Sequence, residues 1–137
     1  MVISYEIEFI GEREVASILR EALKTDSKIE KFEEFEDGFR LRLTGARRKI
    51  VIICRGNATG SDCLLIVNSK KIPENGGIAL NADKIAKKCG SKPEIAMLGA
   101  LAKLGVVELK HLMRVIYRNK GYNDVLAVKK GFEAIKI

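Results

Sequence analysis

Residues 2–10 alternate: Ile3, Tyr5, Ile7 and Phe9 fall on one side, and Ser4, Glu6 and Glu8 on the other. A period of two marks a strand with one wet face. Gly11 breaks the alternation, and residues 12–24 place Val15, Ile18, Leu19, Ala22 and Leu23 at helical spacing. Glu12 and Glu14 are expected in the first turn, where the helix dipole favours acids. This is a strand–turn–helix unit. Residues 28–35 are acidic and aromatic and read as a short edge strand or a loop. Asp37-Gly38 is a turn signal, after which Phe39, Leu41 and Leu43 alternate with Arg40, Arg42 and Thr44 in a second half-buried strand. Gly45 to Lys49 reads as a basic turn. Ile50 to Cys54 is a continuous apolar run, the pattern of a buried strand. Gly56 to Asp62 reads as a loop, Leu64 to Val67 as another buried strand closed by Asn68-Ser69, and Ile72 to Gly77 as a loop before a short strand at Ile78 to Leu80.

The pattern then turns helical. Residues 82–89 form a short helix that Gly90 ends from a C-cap position. Ser91-Lys92-Pro93-Glu94 has the form of a capping box with proline in the first turn. The helix it opens, residues 92–104, is apolar on nearly every side, so it is expected between other layers. Gly99 within it permits close approach of another backbone. Leu109, Leu112, Met113, Ile116 and Tyr117 line one face of a helix over 108–120, which Gly121 stops. Asn123 is expected to cap a last helix to about residue 135. The whole reads as a single α/β domain over 1–137, strand-rich over 1–80 and helical over 81–137. The expected fold is a small mixed Rossmann-like sheet with a C-terminal helical block.

Composition narrows the class. The 137 residues are 47% hydrophobic and 31% charged, which suits a globular core and excludes wholesale disorder. No apolar run approaches the roughly 20 residues of a membrane span. Glu6 and Glu8 interrupt the first apolar stretch, unlike a signal peptide, so a cytoplasmic protein is expected. Cys54, Cys63 and Cys89 form no C-x-x-C pair, so cluster and zinc-knuckle spacings are missing and reduced, mostly buried thiols are expected. Cys89, preceded by Lys87 and Lys88, is the least inert of them.

Charge changes the picture further. The chain carries a net +7, but residues 1–69 hold 11 basic and 12 acidic side chains, against 14 and 6 in residues 70–137. Lys84, Lys87, Lys88, Arg114, Arg118 and Lys120 make a candidate basic face. Such asymmetry suits an acidic protein partner or nucleic acid, and equally a solvated lysine-rich surface. Phe32, Phe35 and Phe39 sit among acids rather than bases, which weighs against stacking of nucleic-acid bases.

Catalytic motifs are few. Gly56 to Gly60 is not followed by the Lys-Ser/Thr of a phosphate-binding loop. One glycine, Gly11, stands where a dinucleotide fingerprint needs three. His111 is the only histidine, leaving a metal site without a second imidazole and any serine without a nearby base. The Glu33-Glu34-Glu36-Asp37 group lacks the spacing of a calcium loop.

The second half resembles a known family. Asn81-Ala82-Asp83-Lys84-Ile85-Ala86 with Gly90, then Met97-Leu98-Gly99-Ala100-Leu101, then Ala127-Val128-Lys129-Lys130-Gly131-Phe132-Glu133 are similar, in order and spacing, to the C-terminal part of the gamma subunit of 2-oxoacid:ferredoxin oxidoreductases. The resemblance covers residues 64–135. It implies a Rossmann-like sheet and a subunit without the thiamine diphosphate or iron–sulfur clusters, which such complexes hold on other subunits; no cofactor is expected on this chain alone. Four departures stand out. The family's glycine-rich segment is reduced to Gly11-Glu12-Arg13-Glu14-Val15. Phe32 to Phe35 lacks the Arg-Gly-Gly that would follow. Asn81 replaces an Asp, and Glu94 stands near the place of an Asn. The chain also reads as shortened by some tens of residues before Leu64. If the family's loop positions are kept, Gly11, Arg13, Asn68 and Asn81 are the candidates for ligand or partner contact.

Three readings follow: a non-catalytic subunit or binding module that assembles with protein subunits of an oxidoreductase complex or with itself, a stand-alone small-ligand-binding α/β protein using the carboxyl ends of its strands, or a basic nucleic-acid-binding domain. No catalytic or metal-ligating residue is assigned.

Overall fold

The computed structural model describes residues 4–24, 29–56, 63–73 and 76–135. Strand β1 (Tyr5–Ile10) leads to helix α1 (Val15–Leu23), then to a hairpin of β2 (Ile29–Phe35) and β3 (Gly38–Leu43). Strands β4 (Arg48–Ile53), β5 (Leu64–Asn68) and β6 (Ile78–Leu80) follow, then helices α2 (Ala82–Cys89), α3 (Pro93–Lys103), α4 (Leu109–Asn119) and α5 (Tyr122–Ala134). The sheet order is β2-β3-β1-β4-β5-β6. β1, β4, β5 and β6 run parallel, while β3 is antiparallel to both β1 and β2. The mixed sheet with its helical second half is the α/β arrangement the hydrophobic pattern calls for.

All five helices contribute to one core with a single face of the sheet. Ile7, Phe9, Phe39, Leu41, Ile50, Ile52 and Ile66 meet buried side chains of α1 to α5 there. Phe9 stacks on Phe39 across β1 and β3, with ring centroids 5.1 Å apart. The opposite face carries a smaller cluster of Val51, Ile53 and Leu65, flanked by Ile10, Cys63 and Val67. β4 therefore serves both clusters, which is why its sequence is continuously apolar where β1 and β3 alternate. Elsewhere on that opposite face Glu8 lies between Arg40 (3.3 Å) and Lys49 (3.1 Å).

Helix α3 is buried from Glu94 to Ala102. Its closest neighbour is α5, and the two cross backbone to backbone. A Cβ on Gly99 would lie 2.4 Å from the Val128 carbonyl oxygen, and one on Gly131 2.0 Å from that of Ala96. Gly90 ends α2 with a left-handed φ of 70°, a conformation that costs a residue with a Cβ.

Several local expectations are corrected. The Ser91–Glu94 capping box does not form: Lys92 is the N-cap residue of α3 and makes no side-chain cap. Ser91 Oγ instead donates to the Asp124 carboxylate, and Glu94 turns inward. Asn123 does not cap α5, because the helix already begins at Tyr122 with Gly121 in the N-cap position. α1 starts at Val15 and has no acid in its first turn; Glu12 and Glu14 precede it and pair with Lys92. Arg48 and Lys49 belong to β4 rather than to a turn, and Asn68 is the last residue of β5. Ile3, Lys28 and most of the 56–62 loop lie outside the described residues.

Candidate functional site

Parallel α/β sheets present ligand sites at the carboxyl ends of their strands. Here the ends of β1 and β4 open into a cleft of about 560 Å³, lined by Glu8, Ile10, Gly11, Glu12, Glu36, Asp37, Val51, Ile53, Arg55 and Gly56. Backbone hydrogen bonds build its rim. Cys54 N–H donates to the Ile10 carbonyl at 2.8 Å, and Gly11 N–H donates to the Asp37 carbonyl at 2.7 Å. The second bond spends the turn's one glycine N–H on the β2–β3 hairpin.

Behind the rim stands Glu94, the single fully buried charged residue among those described. It enters from the second residue of α3. Its Oε2 accepts from Arg55 Nε at 2.7 Å and from Glu12 N–H at 3.1 Å. Its Oε1 is buried without a hydrogen-bond partner. Gly11 makes room for this carboxylate, since a Cβ there would lie 3.1 Å from Glu94 Oε2, 3.1 Å from Cys54 Cβ and 3.2 Å from the Phe9 ring. Burial pushes the Glu94 carboxyl up, but the Arg55 guanidinium and the Glu12 N–H outweigh it and hold the group below the ordinary glutamate range. Burial, and then the Glu94 charge, push the neighbouring Cys54 thiol up, so Cys54 is held as an inert thiol.

Ion pairs extend outward from this point. Glu12 lies 3.9 Å from Arg55 and 2.9 Å from Lys92, and Lys92 reaches Glu14 at 2.5 Å. Lys120, at the C-terminal end of α4, lies 3.9 Å from Glu14. The Glu14 hydrogen bond, then that of Glu12, raise the Lys92 ammonium above its usual range. The network joins β1, β4, α3 and α4 around the first turn of α1.

The four loop candidates are placed unequally. Gly11 lies in the cleft. Arg13 is exposed and reaches the Phe35 carbonyl at 3.4 Å. Asn68 donates to the Cys54 carbonyl (3.1 Å) and to Asp83 Oδ1 (3.0 Å), while its own Oδ1 accepts from Ala82 N–H (2.9 Å) and Asp83 N–H (3.2 Å). Asn81 caps α2 by accepting from Lys84 N–H. Gly11 and Asn68 thus meet through Cys54, and Asn81 adjoins Asn68 at the start of α2, whereas Arg13 points away to the β2–β3 hairpin. The basic candidates do not form one patch. Lys84, Lys87 and Lys88 are on α2, beside a groove of about 170 Å³ that Lys130 of α5 completes. Arg118 pairs with Glu21 at 3.0 Å and Lys120 with Glu14. Sequence reasoning missed Arg55 and the inward course of Glu94; the one signal is that Glu94 stands near the place of an Asn in the family that the second half resembles. It also missed a second cleft of about 600 Å³ at the amino end of the sheet, where Arg42, Arg47, Arg48 and Lys49 gather with Tyr5 and Cys63.

The three cysteines are free, with Cys54 buried and Cys63 and Cys89 half-buried. No group of three or more His, Cys, Asp or Glu placed to hold a metal occurs among the described residues. No helix of the described residues is long and apolar enough to cross a membrane.

No family profile matches the chain. An uncharacterized protein of Archaeoglobus fulgidus is 75% identical over 137 residues, the whole of both chains. The crystal structure of the gamma subunit of keto/oxoacid ferredoxin oxidoreductase from Geobacter sulfurreducens superposes with a TM-score of 0.67 at 17% identity, over 95% of this chain and 97% of that one. At that identity the likeness is one of fold. It extends through the first half, where the sequence departs most from the family.

Proposed function

We propose, for a chain that belongs to one family with the Archaeoglobus fulgidus protein, the role of a non-catalytic subunit or binding module related to the gamma subunit of 2-oxoacid:ferredoxin oxidoreductases. The observation that carries this reading is the fold likeness over nearly the full length of both chains, together with the ordered sequence motifs of the second half. On this reading the reaction's cofactors belong to other subunits. The β1–α1 turn does not suit a diphosphate: its Gly11 and Glu12 N–H groups are already bonded within the chain. Glu8, Glu12, Glu36 and Asp37 in the cleft would repel a further anion.

What the chain offers a partner is surface. Lys84, Lys87, Lys88, Lys129 and Lys130 on α2 and α5 have no carboxylate partner among the described residues. Tyr117 and Tyr122 stand 65% exposed where α4 meets α5, near Arg114 and Arg118, and tyrosine and arginine are the side chains that anchor interfaces. The β2 strand and its turn carry Glu30, Glu33, Glu34, Glu36 and Asp37 at the sheet edge opposite β6, the strand that leads into α2, with Glu30 and Glu33 paired to Arg42 and Lys31. Opposite charge at two ends of one molecule orients assembly and speeds encounter. The internal pairing of Arg118 and Lys120 disfavours a continuous nucleic-acid track along the six basic candidates.

Tagged protein purified from its native cells near physiological salt, with nuclease treatment, tests this. Recovery with alpha or beta subunits of an oxidoreductase is the expected result. Recovery alone, or with nucleic-acid-associated proteins that nuclease removes, would overturn it.

A further inference from the structure

We infer that the turn between β1 and α1 is an oxyanion-binding site whose resident anion is the chain's own Glu94 carboxylate. The site has the parts that hold a carboxylate or phosphate oxygen: a backbone N–H ahead of a helix (Glu12, 3.1 Å), a guanidinium (Arg55 Nε, 2.7 Å) and a glycine that lets the anion approach the chain. Its occupant comes from α3, which is 0% exposed at this residue. Burying a carboxylate is costly unless donors meet it. Ordinary N-terminal glutamates avoid that cost by facing water or their own helix N–H groups. Glu94, besides its own N–H, reaches donors that follow β1 and β4. The site therefore ties α3 to β1 and β4 and is closed to small anions in the intact protein. The inference rests on this chain's own atoms and holds whether or not the chain assembles with other subunits.

Glu94→Ala tests it, because the substitution removes the equivalent of one acetate. The melting temperature of this variant should fall by roughly 5–10 °C. About 100 mM acetate or formate should restore several degrees in a saturable manner, against sodium chloride of equal ionic strength. Acetamide, of acetate's size but uncharged, should restore little, and the Arg55→Met, Glu94→Ala double variant should lose the acetate effect. Intact protein should show no acetate effect beyond that of the chloride. Rescue by phosphate as well as acetate also supports the assignment and extends the ligand class to phosphoryl oxygens. Absence of anion rescue in a folded Glu94→Ala protein, or equal rescue by acetamide, would overturn it. Should Glu94→Ala fail to fold in chloride but fold in acetate, that is rescue. Should it fold in neither, Glu94→Gln decides: the account expects a lower melting temperature than the intact protein at pH 7, and an unchanged one would overturn it.

Discussion

Glu94 shows how a single side chain can be misread from its neighbours in sequence. Four residues, Ser91 to Glu94, spell a helix cap, and local rules assign the glutamate to its own helix. Its actual partner, Arg55, lies 39 residues away, and no local pattern records a tertiary donor. Gly11 was legible as a turn residue, but not the reason for it, which is the carboxylate and the Cys54 side chain packed where a Cβ would be. Gly11→Ala should therefore cost about 1–3 kcal/mol of stability, as overpacking does, measurable by urea unfolding. Asn68 was legible as a strand-end residue and proves to clip β4 to the start of α2. Asn68→Ala should cost about 1–3 kcal/mol by stranding those groups. Glu94 also sets a pH dependence. Its folded pKa lies below the ordinary glutamate range, so unfolding takes up a proton. Its contribution is fully present above about pH 4.5 and is lost as pH falls through the lower folded value. The stability gap between wild type and Glu94→Gln should narrow as pH is lowered from 6 to about 3; a constant gap would contradict the assignment.

At the scale of elements, hydrophobic period carried most of the fold. The alternation in β1 and β3, the continuous run of β4 and the all-round apolar α3 each correspond to an observed degree of burial. Helix ends were less legible, because Asp124 and Gly121, rather than the nearest capping residue, decide them. The motifs that carry the family resemblance have a structural explanation. Gly99 and Gly131 are the two glycines of the α3–α5 crossing, each against the other helix's backbone. The resemblance therefore reports a packing solution, and it remains readable although the first turn has changed. A carbonyl 2.0 Å from the new methyl cannot be relieved by a rotamer change, so Gly131→Ala should destabilise by about 3 kcal/mol or more or prevent folding. Gly45→Ala has no atom within 4 Å of its new methyl, and its cost should stay near the roughly 1 kcal/mol of a left-handed residue. Thermal melts of the two variants make the comparison.

At the scale of the molecule, charge is segregated along the sheet. The acidic edge is β2 and its turn, and five lysines without a carboxylate partner among the described residues are on α2, which follows the opposite edge strand β6, and on α5 packed beside it. The asymmetry between halves was legible in composition; its division into separate patches was not, since pairing of Arg118 with Glu21 and of Lys120 with Glu14 depends on α1 packing beside α4. Lys84→Glu with Lys88→Glu should weaken any assembly made through this surface while leaving the fold intact, because both side chains are exposed. Raising salt should weaken the wild-type assembly in the same direction. The most direct test is the size of the untagged protein in a gently lysed extract of its own cells, followed by chromatography and mass spectrometry. The subunit reading predicts elution well above the 15.2 kDa of the chain, together with alpha or beta subunits of an oxidoreductase. Elution as a free 15.2 kDa chain, apart from those subunits, would contradict it.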